Sequence, residues 1–154
     1  MPKTESSNPS AEAMVLSLRA MGYDLSTAIA DLIDNSISAN ATNIHVDFSW
    51  NEGSPWILIS DDGDGMSESE LKRAMKPGSQ SPNKIRDIDD LGRFGLGLKT
   101  ASWSQCKKMT VLTSKAGKYS NRCWDLEHIV SKDKWEIILD LPSKRLELLL
   151  KRLK

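Results

Sequence analysis

The chain has 154 residues, the size of one domain with an ordinary buried core. It has no run of about eighteen apolar residues, which excludes a helix that crosses a membrane. Its 21 Lys and Arg balance 21 Asp and Glu, and that neutrality argues against strong non-specific attachment to nucleic acid.

Residues 1–9 read as a flexible arm, and the first ten residues lack the apolar stretch of a secretory signal. Ser10 is placed to cap a helix running to about Met21, with Met14, Leu18 and Met21 on its apolar face and Gly22 as its stop. A second helix starts at Asp24 or Ser26 and runs to about Ser38. Leu25, Ile29, Leu32, Ile33 and Ile37 form its buried stripe. Asp31 and Asn35 lie at the edge of that stripe, four residues apart and therefore side by side.

Ile44, Val46, Phe48 and Trp50 alternate with polar residues, the pattern of a half-buried strand. A turn over 51–55 leads to a short strand over 56–60. That strand ends in Asp61-Asp62-Gly63-Asp64-Gly65-Met66, a glycine turn. Ser67 and Glu70 form a capping box, with Met66 and Leu71 as its hydrophobic staple, and a third helix runs to about Met75. Residues 77–90 are a long polar loop, of the length that usually carries function. It leads into Gly92-Arg93-Phe94-Gly95-Leu96-Gly97-Leu98-Lys99-Thr100 and a helix to about Ser104. Strands follow at 108–114, 119–126 and 134–141, then a Leu-rich helix over 143–154. Cys106 and Cys123 lack metal-ligand spacing and read as thiols in a reduced, cytoplasmic setting, with a nuclear one also open.

The charge is uneven along the chain. Residues 1–99 hold nine Lys/Arg against fifteen Asp/Glu, a balance of −6, and residues 100–154 hold twelve against six, +6. The acidic part contains the candidate site, which points to a cation there. The basic residues are scattered among strands, as on a solvated surface.

Three motifs carry chemistry. A carboxylate at Asp31 can take a proton from water, while the Asn35 amide oxygen can hold a hard cation such as Mg²⁺; the same pair also suits a plain solvated helix face. In Asp61-Asp62-Gly63-Asp64-Gly65, a carboxylate at a strand end can accept from an exocyclic amine, and the glycines permit close backbone approach of a flat ligand. The spacing is not that of an EF-hand. Gly92, Gly95 and Gly97 before a helix offer backbone N–H groups to phosphate oxygens. Their spacing is neither that of the dinucleotide fingerprint nor that of a P-loop, because Leu98 separates Gly97 from Lys99.

The order and spacing of the three motifs over about residues 10 to 114 resemble the ATP-binding domain shared by gyrase B, the ninety-kilodalton heat-shock chaperone, histidine kinases and MutL, the GHKL or Bergerat fold. The wording of residues 28–36 and 92–99 is most similar to the MORC and chaperone-like branch. The resemblance implies an α/β (α+β) two-layer sandwich: a mixed, mostly antiparallel sheet with helices on one face and a glycine-rich lid over 77–97. It implies ATP and Mg²⁺ as ligands. Asp31 takes the place of the acid that polarises the attacking water, where the family usually has Glu, a residue longer by roughly 1.5 Å. Asn35 matches the Mg²⁺ ligand, Asp61 the adenine-binding carboxylate, and Gly63, Gly65 and Met66 the turn and pocket wall beside it. Gly92, Arg93, Phe94, Gly95, Leu96 and Gly97 match the lid, and Lys99 stands where it reaches a phosphate or is a surface helix lysine.

A late-strand Thr near the base is a further family feature, for which Thr110 and Thr113 are both candidates. A phosphate-contacting Lys or Arg from a following domain is another, and these 154 residues leave no room for it. The function implied is Mg-dependent ATP binding with slow hydrolysis, switching a lid or an ATP-dependent homodimer and signalling to an effector domain or partner protein. Three other readings remain open: a nucleotide-binding module without turnover, a histidine-kinase-like phosphotransfer domain, and a DNA-associated interaction protein using the basic C-terminal part.

Overall fold

A computed structural model of the chain describes residues 2–5, 7, 9–20, 23–50, 53–77, 97–139 and 150. Its elements, in order, are α1 (Ala11–Arg19), α2 (Leu25–Ser38), β1 (Ile44–Ser49), β2 (Trp56–Asp61), α3 (Glu68–Met75), α4 (Gly97–Gln105), β3 (Lys108–Lys115), β4 (Lys118–Asp125) and α5 (Leu126–Lys132). The α/β class is the one the sequence implies. Among the described residues the strands form two separate antiparallel ladders, β1 with β2 and β3 with β4, rather than one mixed sheet.

The helix starts follow their caps. The Ser10 hydroxyl accepts from the Ala13 N–H at 3.2 Å, and the Asp24 carboxylate accepts from the Thr27 N–H at 2.9 Å. The capping box of α3 is complete: Ser67 N–H donates to Glu70 at 2.7 Å, and Glu70 N–H donates to the Ser67 hydroxyl at 3.4 Å. Such caps are each worth about 1 kcal/mol. Lys115 of β3 adds an ion pair to Glu70 at 3.0 Å, and Arg122 of β4 reaches Glu68 at 2.8 Å. Two cations of the basic part are thus matched by acids of the acidic part.

One core joins α1, α3, α4, β3, β4 and α5. It contains Val15, Leu71, Met75, Trp103, Met109, Trp124, Leu126 and Ile129. Trp103 stacks on Trp135 at 6.0 Å, and both present edges to Trp124, geometries worth about 1 kcal/mol per pair beyond area. Helix α2 lies outside that cluster and packs chiefly on α4.

Four expectations are corrected. Helix α1 buries Ala11 and Val15 instead of Met14, because its core neighbours α4 and α5 lie on that side. In α2 the small residues Ala28 and Ser36 are buried while Ile37 is 51% exposed. In β1 the alternation is real, but Val46, Phe48 and Trp50 are exposed, Phe48 at 62%. Directly opposed residues share a face, so Phe48 with Ile57 forms an apolar surface that the described residues do not cover. The expected strand over 134–141 is a single antiparallel bridge between Ile138 and Cys123, and the chain before it forms α5, capped by Asp125. Cys106 and Cys123 are free thiols. No described helix is long and apolar enough to cross a membrane. The expected C-terminal helix over 143–154 lies outside the described residues except for Leu150, as does the loop over 78–96.

Candidate functional site

The site is built on α2. Its 3.6-residue period places Asp31 and Asn35 on one face. Asn35 is exposed and Asp31 half-buried. The Asp31 carboxylate is not left to solvent, because the Tyr23 hydroxyl donates to its Oδ2. That carboxylate holds the Tyr23 phenol above its ordinary pKa through the hydrogen bond, with burial and the charges of Asp31 and Asp24 adding to it. Asp34, one residue off the face, is exposed.

One residue past Asn35, the buried Ser36 hydroxyl donates to Asp61 Oδ2 at 3.0 Å. The Gly63 N–H donates to Asp61 Oδ1, also at 3.0 Å. Both carboxylate oxygens are therefore oriented, and each keeps a lone pair for a further donor. The neighbouring acids are spent on the turn itself. Asp62 accepts from the N–H groups and side chains of Thr42 and Asn43, at 2.7 to 2.8 Å. These bonds hold its carboxyl far below the usual carboxylate range. Asp64 accepts from the Asn40 amide at 2.7 Å, and its N–H donates to the Ala39 carbonyl at 2.8 Å. Of the three, Asp61 is the one tied to the body of α2 through Ser36.

The glycines serve packing in a way the sequence does not show. A Cβ on Gly63 would lie 2.6 Å from the Ala39 carbonyl oxygen, and one on Gly65 only 1.9 Å from the Ser114 carbonyl oxygen. Gly65 also sits at φ +65°, where L side chains are strained. Their freedom lets the turn lie on the end of α2 and on β3, protein against protein. At that junction the Met66 N–H donates to the Thr113 hydroxyl at 2.8 Å. Thr113 is buried, and its own proton remains to be donated. Of the two late-strand candidates, Thr113 is the one at the turn; the buried Thr110 hydroxyl has no hydrogen-bond partner among the described residues.

Helix α2, the Asp61 turn and Thr113 thus meet at one place, and residues 23–154 match the family described as histidine kinase-, DNA gyrase B-, and HSP90-like ATPase. The chain belongs to that family. It is 31% identical over 91 residues to ATPase morc-1 of Caenorhabditis elegans, covering 59% of this chain and 10% of that protein. It is 31% identical over 99 residues to DNA mismatch repair protein MutL of Thermosipho melanesiensis, covering 62% and 17%. Protein MICRORCHIDIA 4 of Arabidopsis thaliana is 32% identical over 96 residues, covering 59% and 12%. The matches span less than a fifth of the length of these relatives.

In this ATPase-family domain, Gly97 opens α4, while Gly92, Arg93, Phe94, Gly95 and Leu96 lie outside the described residues. Lys99 is not a surface lysine: it is 1% exposed. Its ammonium donates to the carbonyls of Ala74 at 2.7 Å and Lys76 at 3.0 Å, at the end of α3. Burial lowers its pKa from 10.5 to about 8. Met66 packs against the core beside the turn. Sequence reasoning missed Tyr23 and Ser36. The signal for Ser36 is a small hydroxyl inside an apolar stripe, and for Tyr23 a phenol just ahead of the Asp24 cap, two helical turns from Asp31.

Proposed function

We propose that this domain binds Mg-ATP and hydrolyses it slowly, with Asp61 at the adenine end and Asp31 at the γ-phosphate end. The observation that carries the reading is the Ser36–Asp61 hydrogen bond. It fixes the turn to the same helix that bears Asp31 and Asn35, so one rigid element joins both ends. From Ser36 to Asp31 is about 7.5 Å along a helix axis.

The residues fit the ligands. Asp61 has oriented oxygens able to accept the adenine amine, and Thr113 has a proton to donate beside it. The exposed Asn35 amide offers one hard oxygen, and phosphates and waters would complete an octahedral Mg²⁺ shell. The ion would supply charge neutralisation on phosphate oxygens. Asp31 accepts a proton from the attacking water as its oxygen bonds to the γ-phosphorus. The bond to the β,γ-bridging oxygen breaks, and ADP leaves with the electron pair. Phosphate contacts by Gly92, Arg93, Phe94, Gly95, Leu96 and Gly97, and closure of a lid over 77–97, rest on their spacing. ATP spanning helix, turn and lid would shift the conformational population, read out by a homodimer or an effector domain.

The test is a titration with ADP and a nonhydrolysable ATP analogue, with and without Mg²⁺, followed by phosphate release. Asp61→Asn weakens ADP binding at least about tenfold, the cost of mispairing a charged hydrogen-bond acceptor. Asp31→Asn keeps binding and loses turnover. Absence of binding at millimolar nucleotide refutes the reading. Equal phosphate release from Asp31→Asn and wild type removes Asp31 from catalysis, and no release from either leaves the non-hydrolytic module, which the shorter acid favours as the second reading.

A further inference from the structure

We infer that Tyr23 is a positioning residue for Asp31, holding one carboxylate oxygen so that the other is left for the attacking water. The inference rests on the hydrolytic reading above.

The Tyr23 hydroxyl donates to Asp31 Oδ2, while Oδ1 accepts no hydrogen bond among the described residues. An anchored carboxylate loses the rotational freedom that otherwise spreads its two oxygens over many directions. The anchor matters more for Asp than for Glu, because the shorter arm has less range with which to correct a wrong direction. The raised phenol pKa keeps Tyr23 a donor throughout neutral pH.

Tyr23 is itself placed from elsewhere. Gln105, the last residue of α4, donates from Nε2 to the Tyr23 carbonyl at 2.5 Å. The end of α4 is in turn fixed by Arg19 of α1, whose Nη1 donates to the carbonyls of Trp103 at 2.6 Å and Cys106 at 2.8 Å. A chain of polar contacts therefore runs from α1 and α4 through Tyr23 to the acid on α2. Tyr23 is thus held at both its backbone and its hydroxyl.

The experiment is a double-mutant cycle on the full chain, reading phosphate release from Mg-ATP and ADP affinity. Tyr23→Phe lowers kcat about tenfold, while KM and the ADP dissociation constant stay within about twofold. In the Asp31→Asn background the same change leaves the residual single-turnover rate unaltered, because there is no carboxylate left to orient. Gln105→Ala lowers kcat by a smaller factor and is likewise silent in that background; it serves where Tyr23→Phe lowers the melting temperature. An unchanged kcat in Tyr23→Phe overturns the inference, and a raised one shows that the phenol blocks the acid. An equal loss in both backgrounds makes Tyr23 a loop anchor only. If Asp31→Asn turns over like wild type, the catalytic role of Asp31 fails first, and the positioning role of Tyr23 goes with it.

Discussion

Two regions of the candidate site are held in different ways. At the Asp61 turn, backbone is pressed on backbone, Gly65 against Ser114 and Gly63 against Ala39, beside short polar contacts such as Met66 N–H on the Thr113 hydroxyl and Asp62 on Thr42 and Asn43. Around Asp31 and along α4, long side chains reach across. Tyr23 reaches Asp31, Arg19 reaches the end of α4, and Lys99 reaches the end of α3. Close packing has two discrete outcomes, fit or clash, whereas a polar reach depends on protonation and can be released. The glycine contacts of the turn are therefore expected to break under small changes of shape, and the reach of Lys99 under a change of charge.

The largest effect tests shape. Gly65→Ala puts a methyl 1.9 Å from a carbonyl oxygen at positive φ, and is expected to cost about 3 kcal/mol in urea unfolding and to abolish ADP binding. Gly117→Ala, at φ +74° with open space around it, costs only about 1 kcal/mol, the backbone term alone. Equal losses at the two glycines would show that the contact with Ser114 contributes nothing. Next comes Thr113→Val, which keeps volume but removes the acceptor of the Met66 N–H. It is expected to cost about 2 kcal/mol and to weaken ADP binding, while Thr113→Ser restores both. A fully stable Thr113→Val protein would mean that the turn is held by its glycines and by Asp62 without this bond.

The same contrast explains what could be read in the sequence. Caps were legible because they are local: Ser10, Asp24, Ser67 and Glu70 each act within four residues. The spans of β3 and β4 were legible as strands, though not their pairing. The motif residues Asp31, Asn35 and Asp61 were legible as types at a spacing. What periodicity does not carry is which face another element covers. Hence Val15 rather than Met14 is buried, and Phe48 is left exposed. Contacts between distant segments were equally hidden, such as Met66 on Thr113, 47 positions away, and Arg19 on Trp103, 84 positions away. Lys99 is the sharpest case. Its place after the Gly-rich segment reads as surface or phosphate, and only the carbonyls at the end of α3 show why it turns inward.

That lysine supplies the smallest and most selective test, one that moves with charge at constant shape. Its pKa of about 8 in the folded protein stands against 10.5 for the ordinary group. Below about pH 8 the amine is protonated in both folded and unfolded chains, and the cost of burying the charge is present in full. From about pH 8 to 10.5 the folded chain releases its proton first while the unfolded chain still holds one, so Lys99 contributes increasing stability as pH rises. The readout is the difference in melting temperature between wild type and Lys99→Met, in which titrations common to both proteins cancel. That difference is expected to be flat from about pH 6 to pH 7 and to shift in favour of wild type by about pH 10. A difference that stays flat to pH 10 would mean that the carbonyls of Ala74 and Lys76 compensate the buried charge completely. The reach of Lys99 would then be as insensitive to protonation as the glycine contacts of the turn, and the contrast between the two would fail.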